Sequence, residues 1–461
     1  MTMTQINLPS GTVGPAVILI QINASRASRP QPTTYTGSIN GPARRRFADL
    51  IYRSSINSLW RRHRTWLLVA VAAVVLAILG TNNSARSDWT EQEATRDTMQ
   101  VIFDSLHYLF QIDLAGGSFD SPQNREQVLV ALRELDDQSA ILASHGFSED
   151  ASGLFLASVL ERYSLLMLRS FEQGETERVQ ELLYGLTDVC IACHTRLPST
   201  HDSPVAKQFV DSRTIASLPA ERRARLQVAT RRFDDALVTL EAMLESGNPG
   251  DLAVLEQAIR TYLAVNIRVK GDMERPIPIL ESIEERSAPN SAWQRDVESW
   301  VQSLQHYRDK PFIVEPLRSA RASIDAAAEL GPSRQRGALV DYLAASSLLH
   351  RYLVSGPEDV MAISEAHYLL GLAEYRIHED DWLPQAELYL EVAIVLAPHA
   401  PWAEDAYALL VEKIRRTYVD VPDGQLPPDV VERLIELRQA IDGGKPSKAT
   451  ASLSARDGIP G

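Results

Sequence analysis

Residues 176–194 read TERVQELLYGLTDVCIACH. Val179, Leu182, Leu183, Leu186 and Val189 recur at helical spacing, so the stretch predicts an amphipathic helix that ends at His194. Its last turns carry Cys190-Ile191-Ala192-Cys193-His194, the C-x-x-C-H spacing of covalent c-type haem attachment. Positions three apart lie on one helix face, about 5–6 Å from each other. Two thiols so placed reach the two vinyl groups of one haem, and the adjoining His194 sits where the proximal iron ligand belongs. These are the only two cysteines among 461 residues.

Other readings of the motif fit less of it. A structural zinc site needs four ligands, and no second Cys pair or His pair completes one. A thioredoxin-like C-x-x-C expects a strand before the helix, whereas Thr176 to Val189 reads as helix throughout. A redox or structural dithiol stays open as an alternative, but it leaves His194 without a role.

Working outward, residues 87–200 predict four consecutive helices. The first runs from about Asp88 to Gln111, with Thr90-x-x-Glu93 as a capping box and Met99, Ile102, Phe103, Leu106, Leu109 and Phe110 as its apolar stripe. The second opens at Ser121-Pro122, carries Val128, Leu129, Leu132, Leu135 and Ile141, and stops at Gly146. The third runs from Ser148 to Phe171, with Gly174 as terminator. The fourth is the motif helix, and Pro198 ends it. Four helices of this length with short connections predict an antiparallel bundle.

Helix order and motif position in this quarter of the chain resemble the class II cytochromes c, the group of cytochrome c prime. The resemblance implies a four-helix bundle with one covalent haem c on Cys190, Cys193 and His194. It also implies that the first helix crosses the distal face of the haem. Met99 then becomes the candidate sixth iron ligand, and Arg96, one turn earlier, the candidate partner of a haem propionate. A His/Met pair raises the reduction potential and suits electron transfer; an unliganded distal side suits a small gas. The residues alone also allow Met99 as a core filler and Arg96 as a solvated surface residue. His107 shares a face with Gln100, Asp104 and Gln111, which predicts that it points to solvent; His145 and His201 fall in predicted loops.

Upstream, residues 1–64 are rich in Ser, Thr, Asn, Pro and Gly and predict a disordered basic segment in the cytoplasm. Residues 1–65 hold nine Arg, no Lys and one Asp, a net +8 in a chain whose total is -14, so the rest carries -22. That acidic body argues against a nucleic-acid partner and suits a basic redox partner. Arg61-Arg62-His63-Arg64 abuts the apolar run WLLVAVAAVVLAILG, Trp66 to Gly80. Residues 65–80 therefore predict a transmembrane anchor, with a cleaved signal as the alternative. The Arg cluster holds the amino terminus in the cytoplasm, so the body faces the periplasm from the inner membrane.

Downstream, a polar linker (199–218) leads to residues 219–441, where Ala- and Leu-rich helical segments alternate with breaks such as Asn248-Pro249-Gly250, Gly331-Pro332 and Gly356-Pro357. Leu370-Gly371, Ala386, Leu390, Ala393 and Pro398 resemble one degenerate tetratricopeptide repeat, which implies an α-solenoid and a surface for a protein partner. The remaining histidines (306, 350, 367, 378, 399) show no ligand spacing, and the trio Glu379-Asp380-Asp381 predicts a solvated turn. Residues 443–461 predict a disordered tail.

The fold expectation is thus all-α: anchor, four-helix-bundle cytochrome, tetratricopeptide-like solenoid. The functional expectation is a membrane-anchored monohaem electron carrier, not an enzyme, docked to a redox partner such as a membrane respiratory complex. A gas sensor with five-coordinate iron and a haem-free scaffold are the alternatives.

Overall fold

In a computed structural model, the described residues are 84–145, 151–199, 202–203, 206–210, 212–246, 252–309, 315–378, 383–418 and 426–443. The expected basic segment, membrane anchor and carboxy-terminal tail lie outside them, apart from Gly443, as does the acidic trio at 379–381. Among the described residues every regular element is a helix.

The first four are α1 (Ser84–Leu114), α2 (Arg125–His145), α3 (Ala151–Glu172) and α4 (Thr176–His194). Each packs on the next, and α1 also meets α4. Their apolar stripes bury one another: Ile102 and Leu109, Val128 and Leu132, Leu156 and Tyr163, Leu182 and Leu183 share one core. Removing such side chains from water is the main driving force, roughly 1.5–3 kcal/mol for each fully buried one. Gly185 brings α4 close to α3, since a Cβ there would stand 3.1 Å from the Tyr163 ring. The α3–α4 turn uses Gly174 at φ 79°, and the Glu175 N–H returns to the Ser170 carbonyl at 2.8 Å, a Schellman closure. A polar tie joins α1 to α4: Asp113 accepts from Tyr184 Oη (2.6 Å) and Gln180 Nε2 (2.8 Å).

Helix α3 is long and apolar enough to cross a membrane, but more than half of it is buried, with Tyr163, Met167 and Phe171 inside the shared core. Its apolarity is that of a core helix.

The stretch after α4, expected as a plain polar linker, packs against the first four helices. It forms α5 (Lys207–Val210) and α6 (Arg213–Ala216), the latter capped by the Ser212 hydroxyl accepting from Ile215 N–H. Phe209 and Ile215 are buried in the first core. Single-turn helices carry no periodicity, which is why the sequence pattern does not announce them.

Further helices follow: α7 (Ala220–Ala229), α8 (Phe233–Glu245), α9 (Leu252–Ala264) running into a π-helical turn at Val265–Lys270, α10 (Ile277–Arg286), α11 (Ala292–Asp309) and α12 (Pro316–Glu329). A 3-10 segment at Pro332–Ala338 leads to α13 (Leu339–Val354), α14 (Val360–Ile377), α15 (Gln385–Leu396), α16 (Ala403–Thr417) and α17 (Pro428–Ile441). Most packing is between sequence neighbours, as in α7–α8, α10–α11, α12–α13, α13–α14, α14–α15 and α15–α16. The pair α14–α15 is in close approach at Gly371, where a Cβ would lie 2.7 Å from Leu390 Cγ. Ala386 and Ala393 are buried in the same pair.

The two halves share side chains. Leu226 of α7 and Leu383 belong to the first core, while Ile191 of α4 packs on the second. The hydroxyls of Ser152 on α3 and Tyr389 on α15 are hydrogen-bonded. Helix α4 is thus gripped from both sides.

Candidate functional site

Cys190 and Cys193 prolong the stripe of Val179, Leu183 and Leu186 along α4. Those three are fully buried, whereas both cysteines are half-buried, at the end of the stripe. Cys193 packs on the rim of the first core, and the two thiols are not bonded to each other. Burial first, then neighbouring Cys193 and Asp188, push the Cys190 thiol up to about 12. A catalytic dithiol needs the opposite shift, toward thiolate, so the electrostatics disfavour the thioredoxin-like reading.

His194 is the last residue of α4. Its Nδ1 lies 2.8 Å from the Ala229 carbonyl, at the end of α7. A carbonyl only accepts, so Nδ1 carries the proton and Nε2 keeps its lone pair. Burial, reinforced by Arg231, lowers the imidazole to about 4, against the opposing hydrogen bond, so it is neutral at pH 7. A neutral imidazole with Nδ1–H held by a backbone carbonyl is the form that ligates a metal through Nε2. Among the described residues no three His, Cys, Asp or Glu side chains are placed to hold a metal ion by themselves. A porphyrin brings four nitrogens of its own and asks the protein for one imidazole and two thiols, which these residues fit.

The next two residues enter the second half of the molecule. Thr195 and Arg196 are 4% and 3% exposed. Around them lies a polar cluster inside the helical pairs. Arg268, from the π-helical turn, pairs with Glu374 of α14; Ser346 bonds both. His350 and His378 each stand 3.5 Å from Glu374. Burial opposes ionisation of Glu374, but Arg268 and the two histidines outweigh it and hold the carboxyl far below its usual range. Burial lowers His350 to about 4, against its bond to Glu374. The opposite face of α4 from the cysteines, at Asp188, Ile191, Ala192 and Thr195, lines a small cleft with Arg225, Arg260, Arg268 and Lys413 on its other walls. Arg225 of α7 pairs with Asp188 across one edge.

On the first helix, Met99 is half-buried against the first core and Arg96 is exposed. His107 departs from the expectation of a solvent-facing residue. It stacks on Phe103 at 5.7 Å and meets the Phe209 ring edge-on at 4.7 Å, and burial lowers its pKa. The partner that covers it comes from α5, which the linear pattern of α1 cannot reveal.

The histidines that looked scattered are therefore partly gathered, with His350 and His378 meeting on Glu374. Arg196, the basic residue that the resembled family often carries shortly after the motif, is buried. The Ala229 carbonyl is what sequence reasoning missed, since a backbone carbonyl leaves no letter. Comparison with protein-family models, characterised proteins and solved structures gives no match.

Proposed function

We propose that this chain is a c-type monohaem cytochrome of the four-helix-bundle class, carrying single electrons, with an α-solenoid that grips its haem-bearing helix. The observation that supports it best is His194: Nδ1–H donated to the Ala229 carbonyl, Nε2 left to ligate a metal, one residue beyond the second of two unbonded thiols on the stripe that faces the first core. When bound, the haem supplies an iron that cycles between ferric and ferrous. Cys190 and Cys193 hold the porphyrin, and His194 orients and ligates its metal. The apolar core beneath Cys193 keeps water from that side.

Met99 is the proposed sixth ligand. Short connections make successive helices alternate in direction, so α1 and α4 are antiparallel. Asp113 meets Gln180 and Tyr184. At 1.5 Å per residue, Met99 lies about 21 Å from that tie along α1, and His194 about 15–21 Å from it along α4. Both therefore belong to one end of the bundle. Arg96, exposed on that end, is proposed to face a propionate. The run from Trp66 to Gly80 is proposed as the inner-membrane anchor, with the body in the periplasm. The partner is a redox protein, such as a membrane respiratory complex, that tolerates the acidic body.

A haem stain after denaturing electrophoresis tests this. It is expected in protein from a host that attaches haem c, and absent in Cys190→Ala/Cys193→Ala. No stain in the parent protein sinks the reading. The reduced spectrum of Met99→Ala is expected to lose its low-spin bands; an unchanged spectrum removes Met99 and leaves an iron open to small gases.

A further inference from the structure

The turn that ends α7 leaves one carbonyl for His194. Thr230 N–H returns to Leu226 O (3.0 Å), Arg231 N–H to Val228 O (3.0 Å) and Arg232 N–H to Gln227 O (2.7 Å). This is the Schellman pattern, and it uses the three carbonyls before Ala229. The N–H that would reach Ala229 O in a continuing helix belongs to Phe233, and it goes to Asp202 Oδ1 instead (3.1 Å). His194 Nδ1–H is the donor that the Ala229 carbonyl receives.

Such a turn needs one residue with left-handed backbone, and glycine is the usual choice. Here Arg231 holds it, at φ 59°. A non-glycine residue there is strained by roughly 1–2 kcal/mol and needs support. The support comes from just beyond the motif: Arg231 Nη2 donates to Ser199 Oγ (2.9 Å), and the Arg231 carbonyl accepts from Ser203 N–H (3.0 Å). His194 at the end of the motif helix, with Ser199 and Ser203 beyond it, thus holds the α7 turn at three contacts.

We propose that the α7 turn is a positioning device for the iron ligand: the Ala229 carbonyl, presented by the left-handed Arg231, fixes the Nδ1–H tautomer of His194 and with it the potential of the iron. This rests on the cytochrome reading above. A carbonyl on Nδ1–H makes the imidazole a stronger donor and favours the ferric state. The carbonyl also sits at the negative end of the α7 dipole, which adds to the same effect. Since α7 opens the second half of the chain, that half sets a property of the cofactor held by the first.

Two substitutions in the full-length protein separate backbone from charge. Arg231→Gly and Arg231→Val both remove the guanidinium, but only glycine keeps the left-handed turn. In a redox titration followed by the visible spectrum, the Val variant is expected to have the higher midpoint potential. Equal potentials overturn the proposal. If the Val variant does not fold, Arg231→Ala takes its place, with a smaller upward shift expected over the Gly variant.

A second readout needs no haem. In Cys190→Ala/Cys193→Ala protein with ¹⁵N-labelled histidine, the ring nitrogen shifts of His194 are expected to report Nδ1–H, both with Arg231 and with Arg231→Gly. Nε2–H or a mixture overturns the proposal even if haem attaches normally. Conversely, a parent protein without haem ends the cytochrome reading, while the tautomer measurement still decides the contact.

Discussion

His194 and His350 are both neutral imidazoles, the first half-buried and the second fully buried, and their surroundings serve different ends. His194 is held by a backbone carbonyl, at the position proposed to ligate iron, whereas His350 is set against an ion pair. His350 is lowered from 6.5 to about 4 because burial penalises its charged form. A depressed value means stability that is complete above about pH 6.5 and is lost as pH falls toward 4. Haem-free Cys190→Ala/Cys193→Ala protein should therefore show a urea midpoint that drops across that window. His350→Gln should flatten the drop, by up to about 3 kcal/mol. Glu374→Gln leaves Arg268 buried without its counter-ion and should destabilise the fold by about 3–5 kcal/mol. Arg268→Met/Glu374→Leu should be milder than that single change, since no charge is stranded; urea unfolding of both variants checks the order. At this scale the sequence disclosed the motif because two thiols and an imidazole are side-chain chemistry at fixed spacing. It concealed the Glu374 cluster, whose members come from separate helices and a π-helical turn. It also concealed the left-handed position at 231, because arginine stands where glycine would have announced the turn.

Among elements, the long amphipathic helices were legible from their stripes, and the helical class of the chain with them. The motif helix was expected to end at His194, and it does. The first helix starts earlier than the capping box at Thr90 suggested, at Ser84, because local capping signals do not bound a helix that upstream residues continue. Segment 199–218 was misjudged because Phe209 and Ile215 are two apolar residues in polar surroundings, too few to make a pattern but enough to seal a core edge. The pair α14–α15 owes its closeness to Gly371. Gly371→Ala forces its new methyl against Leu390, side chain and backbone N alike, and should cost about 1–3 kcal/mol in denaturant unfolding. Adding Leu390→Ala should recover little of it, because the backbone nitrogen at 3.1 Å remains.

For the molecule as a whole, the sequence suggested separate modules joined by a linker, and hydrophobic pattern cannot say more, since it marks which faces are apolar without saying what covers them. The contacts are interlocked instead: Leu226 and Leu383 lie in the first core, and Ile191 packs against the second. Thermal unfolding should accordingly give one transition, with far-ultraviolet and haem-region signals coincident. Asp188→Asn, which removes the partner of Arg225 at the α4–α7 edge, should lower the midpoint and begin to separate the two signals.

The span from His194 to Ala229 is 35 residues. At the roughly 5–20 residues per second of chain synthesis, the turn that holds His194 follows it by about 2–7 s. On the proposed cytochrome reading, that interval is when His194 is still free of the Ala229 turn and haem attachment at Cys190 and Cys193 meets least folded structure. If haem c is attached as proposed, slowing the arrival of Ala229 should raise the share of molecules that carry it, read by haem stain.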